Sequence, residues 1–148
     1  MASRRLGHTP LALITGGSSG MGLEYSRQLA AAGCNLLIVS IEEEKLKTLE
    51  KELHEEFGVS VRTRWSDLSA FDAAEELFGW CQSEGLEVDI LINNAGIFFF
   101  KELSEEMRPR MEIMMRLHNY TPARLCVLFG TEMKKRGCGY IIHVSSAA

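Results

Sequence analysis

A glycine-rich turn between an apolar run and a helical pattern constrains this chain more than any other feature. Residues 11–14 are apolar, Thr15 follows, and glycines then stand at positions 16, 20 and 22. A strand, a tight turn and a helix N-terminus in this order leave backbone N–H groups free, and the helix dipole favours an anion beside them. Because glycine has no Cβ, the backbone can approach a phosphate closely. The stretch predicts a phosphate-binding loop, with an ordinary glycine-rich βα turn as the alternative.

Length and composition favour one globular domain over residues 1–148. The hydrophobic share of 46% supports a packed core. The net charge of −4 comes from interspersed acids and bases, which indicates no nucleic-acid surface. The four cysteines have neither C-x-x-C spacing nor a histidine at ligand spacing, so no metal site is expected. No apolar run is long enough to span a membrane and no signal peptide is recognisable, so we expect a cytoplasmic protein.

Apolar runs alternate with amphipathic helical patterns along the chain, which is typical of a parallel sheet with helices on both faces. The third helix would be capped by Asp67 or Ser69 and bury Phe71, and a long fourth helical region would end at Gly137. The strands are predicted at residues 11–14, 35–40, 59–65, 88–92 and 140–144, and the first two helices at residues 21–32 and 41–57. The predicted fold is α/β, a doubly wound Rossmann-type sheet in the order 3-2-1-4-5.

The fifth predicted strand, residues 140–144, is apolar on both faces and is typical of a sheet interior. A sixth strand, usual for this fold, has no candidate in the sequence, so the last strands of the full fold are expected to be missing. The fifth strand would then form an edge with unpaired N–H and C=O groups, and self-association should follow. His143 within it is interpreted as a hydrogen-bonded core histidine.

Two motifs resemble those of the short-chain dehydrogenase/reductase family. Residues 15–22 read T-G-x-x-x-G-x-G, which is similar to the nucleotide loop of that family. Residues 93–96 are N-N-A-G, a motif that the family carries after its fourth strand. The resemblance extends over residues 10–148 and implies an incomplete dinucleotide-binding domain. A flavin-binding doubly wound domain is less favoured because it gives no reason for N-N-A-G.

The resemblance implies a set of cofactor-binding residues. Asp67 stands where the family has an aspartate that accepts a hydrogen bond from the adenine amino group, although it could instead cap a helix. The small residues of N-N-A-G would let a cofactor ribose lie close. The implied set is Thr15, Gly16, Ser18, Ser19, Gly20, Met21, Gly22, Ser40, Asp67, Leu68, Asn94, Ala95 and Gly96.

Two residues match catalytic positions of the family. Ser146 corresponds to its catalytic serine, with Ser145 as a structural neighbour, and Asn119 to the asparagine that holds a water in the proton relay. A turn serine and an exposed helical asparagine are the alternatives. The family's Tyr-x-x-x-Lys pair would fall after Ala148, because lysine does not follow four residues after any of the tyrosines, Tyr25, Tyr120 and Tyr140.

The activity that the resemblance implies is hydride transfer between a nicotinamide cofactor and a carbonyl or alcohol carbon. The expected partners are the dinucleotide, a small carbonyl or alcohol substrate and a second copy of the chain. Without the Tyr and Lys, the 148-residue chain itself is expected to be inactive. The alternative is a dinucleotide-binding or interaction protein without turnover, either a natural short form or a truncation.

The choice between NAD and NADP depends on the end of the second strand. An acidic residue there would bind the 2′-hydroxyl of NAD, and an arginine would favour the 2′-phosphate of NADP. This chain has Ser40 and Ile41, and the acids that follow at residues 42–44 are interpreted as solvated first-turn residues. Ser19 lacks the positive charge that many NADP-binding members place in the loop. Because Ser40 leaves space for a phosphate, NADP is weakly favoured over NAD.

Overall fold

The computed structural model describes residues 7–99 and 104–145. The strands of these residues form one parallel sheet in the order β3-β2-β1-β4-β5. They are β1 (Leu11–Thr15), β2 (Asn35–Ser40), β3 (Val61–Trp65), β4 (Ile90–Asn93) and β5 (Tyr140–His143). The helices are α1 (Gly20–Ala31), α2 (Glu43–Phe57), α3 (Ala73–Ser83), α4 (Arg108–Met115) and α5 (Thr121–Arg136). The predicted fold class and strand order are confirmed.

The central strands are apolar except at their end residues, as expected where helices cover both faces of the sheet. Ala12 and Ile14 of β1 pack beneath α1 and α2, whereas Leu13 between them faces α3 and α5. Successive side chains of a strand point to opposite faces, so a strand covered on both sides shows no polar alternation. The sheet therefore has two hydrophobic cores, one on each face.

A buried carboxylate joins the N-terminal ends of β1 and β4. Asp89 accepts a hydrogen bond from the Leu11 N–H at 3.0 Å and lies 3.0 Å from His8 Nε2. Arg136, at the end of α5, comes within 3.8 Å of the other Asp89 oxygen and donates to the Val88 carbonyl at 2.7 Å. A carboxylate removed from water needs such partners. This cluster lies at the end of the sheet opposite the glycine loop.

The third helix begins later than predicted. It starts after Asp72 rather than at a cap on Asp67 or Ser69. The Asp67 carboxylate accepts the Ser69 N–H at 2.9 Å and the Ser69 hydroxyl at 2.7 Å, which closes a local turn instead. Phe71, expected on the buried helix face, precedes the helix, is 63% exposed and stacks on Tyr120.

The long fourth helical region is interrupted. A 3₁₀ turn (Glu105–Met107) precedes α4, and a π turn (Arg116–Tyr120) separates α4 from α5. A π turn inserts extra chain into the helical path, and one inserted residue rotates the following side chains by about 100°. The predicted apolar stripe is therefore divided: Leu125, Phe129 and Met133 of α5 are buried, whereas Met111 and Met115 of α4 are exposed.

Strand β5 lies at the sheet edge and is exposed along its length. Among the residues that the structure describes, it pairs with β4 alone. Tyr140, Ile141 and Ile142 are all exposed, as expected for an apolar strand left at an edge. His143 is exposed too, so its interpretation as a core histidine is wrong, because nothing described covers this end of the strand.

Candidate cofactor site

The loop after β1 and the start of α1 are packed so closely that Gly16, Gly17 and Gly22 leave no room for a side chain. A Cβ on Gly16 would lie 2.9 Å from the Ala95 Cα. A Cβ on Gly22 would overlap the Gly16 carbonyl oxygen and lie 2.5 Å from Asn94 Nδ2. Gly20 differs, because the space beside it is open and its φ is +52°. Gly16 and Gly22 therefore allow α1, the loop and the end of β4 to meet.

The first turn of α1 has N–H groups that no side chain caps. Ser19 is the N-cap residue with an extended backbone, and its hydroxyl makes no capping hydrogen bond. The Leu23 N–H donates to the Ser19 carbonyl at 3.2 Å. The uncapped N–H groups and the positive end of the helix dipole favour an anionic group beside this turn.

Thr15 and Asn94 fasten the glycine loop to the N-N-A-G segment. The Thr15 hydroxyl accepts the N–H groups of Asn94 and Ala95 at 3.0 and 3.1 Å and donates to the Ile92 carbonyl at 3.3 Å. The Asn94 amide donates to the carbonyls of Thr15 and Gly16 at 3.1 and 3.3 Å. These bonds satisfy the backbone where both strands end, so the two motifs form one rigid unit.

A second polar cluster connects the glycine loop to the end of β2. The hydroxyls of Ser18 and Ser40 lie 2.7 Å apart, and the Ser18 hydroxyl donates to Glu42 Oε2 at 2.7 Å. The Glu42 N–H in turn donates to the Ser40 hydroxyl at 3.2 Å. The hydrogen bonds from Lys45 and then Ser18 lower the pKa of the Glu42 carboxyl, so it is charged at neutral pH.

The last residue of β3 and the segment after it contribute an apolar wall and a carboxylate. Trp65 is 55% exposed, and its indole N–H donates to the Ile41 carbonyl at 3.1 Å, which fixes the ring. Asp67 is exposed, and Leu68 is buried, with a carbonyl that accepts the Thr121 hydroxyl at 2.7 Å. Of these residues, the sequence pointed to Asp67 and Leu68 but not to Trp65.

These segments surround a cavity of about 670 Å³ at the carboxyl ends of β1, β2 and β4. This is where ligands bind in doubly wound sheets, and the volume lies within the range of ligand pockets. The predicted residues that line it are Gly16, Ser19, Ser40, Asp67, Leu68, Asn94, Ala95 and Gly96. Lining residues without a prediction include Val39, Ile41, Glu42, Trp65, Ile97, Ile113 and Leu117. Predicted residues outside the lining are Thr15, Ser18, Gly20, Met21 and Gly22.

Of the two predicted catalytic residues, only Asn119 lies within the described residues, and it does not line this cavity. Ser146 lies outside the described residues, and Ser145 is exposed after β5. Asn119 is exposed in the π turn, with its amide 3.7 Å from Met115 Sδ. It lines a separate cavity of about 460 Å³ beside Phe71.

The neighbour of Asn119 contacts the site instead. His118 Nε2 accepts the Ile97 N–H at 3.0 Å and lies 2.9 Å from the Ile97 carbonyl oxygen. A Cβ on Gly96 would lie 3.0 Å from the His118 ring. His118 thus holds the chain where it leaves the N-N-A-G segment. Nothing in the sequence distinguished it, because the phase of a helix cannot be counted across an unforeseen π turn.

The cysteines are free and take no part in the lining of the cavity. Asn93 donates from its amide to Cys126 Sγ at 3.4 Å. Burial raises the pKa of the Cys81 thiol to about 11, so it is a neutral core residue. Within residues 7–99 and 104–145, no group of His, Cys, Asp and Glu side chains is arranged to hold a metal ion. No helix in those ranges is both long and apolar enough to cross a bilayer.

Comparison with known proteins gives one consistent family. Residues 10–148 match the family model described as short chain dehydrogenase. The very-long-chain 3-oxoacyl-CoA reductase of Rattus norvegicus is 31% identical over 143 residues, which cover 93% of this chain and 45% of that protein. The chain thus spans less than half the length of this relative.

Solved structures agree in fold. A short-chain dehydrogenase from Sphingobium yanoikuyae in complex with NADPH has a TM-score of 0.86 at 28% identity, covering 93% of this chain and 54% of that one. The L-sorbose reductase of Gluconobacter frateurii, complexed with NADPH and L-sorbose, has a TM-score of 0.84 at 29% identity, with 91% and 51% covered.

Proposed function

Because the chain belongs to the short-chain dehydrogenase family, we propose that its cavity binds a nicotinamide dinucleotide within an oxidoreductase that acts on a carbonyl or alcohol carbon. The observation that carries this proposal is the junction of the glycine loop with the N-N-A-G segment at the cavity. The Thr15 hydroxyl accepts the N–H groups of Asn94 and Ala95, and the Asn94 amide donates to the Thr15 carbonyl, which holds the two motifs together. The oxidoreductase activity is proposed for the whole protein, because this chain covers only 45% of its rat relative.

The residues present fit a dinucleotide. The uncapped first turn of α1 and the loop at Gly16 and Ser19 would hold the pyrophosphate. Asp67 would accept from the adenine amino group, beside the apolar wall that includes Trp65. The small residues of the N-N-A-G segment would leave space for the other ribose. The pyrophosphate, the adenine and one ribose would thus each contact a different part of the same cavity.

A bound cofactor would donate or accept the hydride, and the protein would supply orientation and proton transfer. For proton transfer we retain Ser146, which would steady a developing alkoxide, and Asn119, which would hold a water. These two roles are supported by the match of Ser146 and Asn119 to the family motifs and by no contact in the structure. We also propose that residues 1–148 alone bind cofactor without turnover, because the sequence contains no Tyr-x-x-x-Lys pair.

The finer choice of NADP over NAD has support of two kinds. Ser40 puts no carboxylate at the end of β2. Two of the similar structures were solved with NADPH. The position of Glu42, whose carboxylate lies beside Ser40, opposes this choice. The cavity does not indicate a substrate class, and the names of similar proteins include both an acyl-CoA reductase and a sugar reductase.

Titration calorimetry of the purified protein with NADH and NADPH tests the proposal. Gly22→Val should abolish binding, because the new side chain would overlap the Gly16 carbonyl and separate α1 from the loop. Gly79→Ala is the matched control, since the space beside Gly79 in α3 is open and alanine suits a helix. Binding that is unchanged in Gly22→Val, or absent from the wild type, would reject the assignment.

A further inference from the structure

One carboxylate lies where the sequence suggested an open space. Glu42 follows β2, and its side chain turns back toward the glycine loop, with 36% of its surface still exposed. It accepts the Ser18 hydroxyl at 2.7 Å, and the Ser18 hydroxyl lies 2.7 Å from that of Ser40. The carboxylate thus occupies the space beside Ser40 on which the preference for NADP depended.

The charge around this carboxylate does not suit a further anion. The charged residues among the described lining of the cavity are Glu42 and Asp67, both acidic. Lys45 contacts the outer oxygen of Glu42 and is not among the lining residues. If Lys45 paired with a bound phosphate instead, Glu42 would lose its ion pair, and the Glu42 carboxylate and the phosphate would repel each other.

We propose that Glu42 selects NAD over NADP in this protein. The inference rests on the proposed dinucleotide function and names which dinucleotide the site prefers. A carboxylate accepts hydrogen bonds from the hydroxyls of the adenosine ribose, and these charge-assisted bonds are strong. A 2′-phosphate carries a charge of about −1.5 to −2 at pH 7 and would be repelled by Glu42. Ser18 and Ser40 position the carboxylate for this role through their hydroxyls.

Selectivity at Glu42 differs from the pattern that the sequence analysis searched for. The acidic residue expected for NAD would stand at the end of β2, where this chain has Ser40. Here the carboxylate comes from the N-cap residue of α2, two positions later, and a serine of the glycine loop holds it in place. The selecting group is therefore supplied by two loops together rather than by the strand end.

The test compares Glu42→Gln with the wild type by calorimetry, using NADH and NADPH as the titrants. Glutamine keeps the size of the side chain and removes its charge. We expect wild-type protein to bind NADH about ten-fold more tightly than NADPH, and Glu42→Gln to lose most of that ratio through tighter NADPH binding. Glu42→Ser should show the same change if the glutamine variant folds poorly.

Glu44→Gln is the matched control, because Glu44 is an exposed acid in the same helical turn and pairs with Lys47 outside the cavity. It should leave the ratio unchanged. If both dinucleotides bind but the ratio is the same in wild type and Glu42→Gln, or if wild type prefers NADPH, the inference is overturned while the proposed function stands. If neither dinucleotide binds the wild type, the proposed function fails and the inference with it.

Discussion

Thr15 and Asn94 stand 79 positions apart and are joined by two hydrogen bonds: the Thr15 hydroxyl accepts the Asn94 N–H at 3.0 Å, and the Asn94 amide donates to the Thr15 carbonyl at 3.1 Å. The first bond fixes the backbone of the N-N-A-G segment, and the second fixes the backbone of the glycine loop. The two sides of the candidate site therefore depend on each other for their shape.

Thr15→Val should destabilise the protein and weaken dinucleotide binding. Valine keeps the shape of threonine but removes the acceptor for the N–H groups of Asn94 and Ala95. These donors are part-buried, so each should cost less than the roughly 1–3 kcal/mol of a fully buried unsatisfied donor. Urea denaturation should show a lower midpoint, while Thr15→Ser, which keeps the hydroxyl, should remain close to the wild type. Equal midpoints for the valine and serine variants would contradict this role.

Trp65 should report cofactor binding by fluorescence. Its indole is a wall of the cavity, so a bound adenosine would displace water from the exposed ring. The other tryptophan, Trp80, lies under the Arg64 guanidinium at 4.5 Å and does not line the cavity. Titration with NADH should change the emission of wild type and Trp80→Phe but not of Trp65→Phe. A signal that persists in Trp65→Phe would place the ligand elsewhere.

The 148-residue chain should self-associate through β5 when expressed alone. Ile142 lies in an exposed apolar strand that pairs with β4 alone within residues 7–99 and 104–145, and such an edge offers unpaired N–H and C=O groups to another chain. Ile142→Lys should shift the sedimentation profile toward monomer, because a charge on an edge strand opposes pairing. Ile142→Val keeps the strand apolar and should still associate. A monomeric wild type at high concentration would show that the edge is protected.

Stability should fall between about pH 9 and pH 11 through Cys81. Its folded pKa is raised to about 11 from 9.0, so over this window the unfolded chain loses the thiol proton and the folded chain keeps it. The unfolded state then binds fewer protons, and the free energy of unfolding decreases by up to about 1.4 kcal/mol per pH unit. Urea denaturation at pH 8 and pH 10.5 should show a smaller loss in Cys81→Ala than in the wild type. Equal losses would exclude Cys81 as the source.

The sheet could be predicted from the sequence because its pattern is local and repeated. Each apolar run of β1, β2 and β4 is bounded by glycine or by a helical pattern, and parallel connection of such units leaves few strand orders. The glycine loop and the N-N-A-G segment likewise meet because each follows a central strand at the same edge. These features depend on residue type and spacing alone.

The remaining features depend on which way a side chain turns. Glu42 was interpreted as solvated because first-turn acids usually are, and nothing local shows that Ser18 lies within hydrogen-bond distance. The interruption at residues 116–120 directs His118 rather than Asn119 toward the N-N-A-G segment. Phe71 was assigned to a helix face one turn too early, because the Asp67 turn resembles a cap in sequence.

The hydrogen bonds between Thr15 and Asn94 also imply that the candidate site forms only after β1 and β4 have paired during folding. Pairing of β1 with β2 closes a short loop, whereas pairing of β1 with β4 encloses just over half of the chain. Contacts of such long range form slowly because the entropy of the enclosed loop is lost first. A bound dinucleotide would contact both the glycine loop after β1 and the N-N-A-G segment after β4. Its binding should therefore slow amide hydrogen exchange where β1 and β4 pair. Ligand binding at the site would thus stabilise the folded sheet against unfolding.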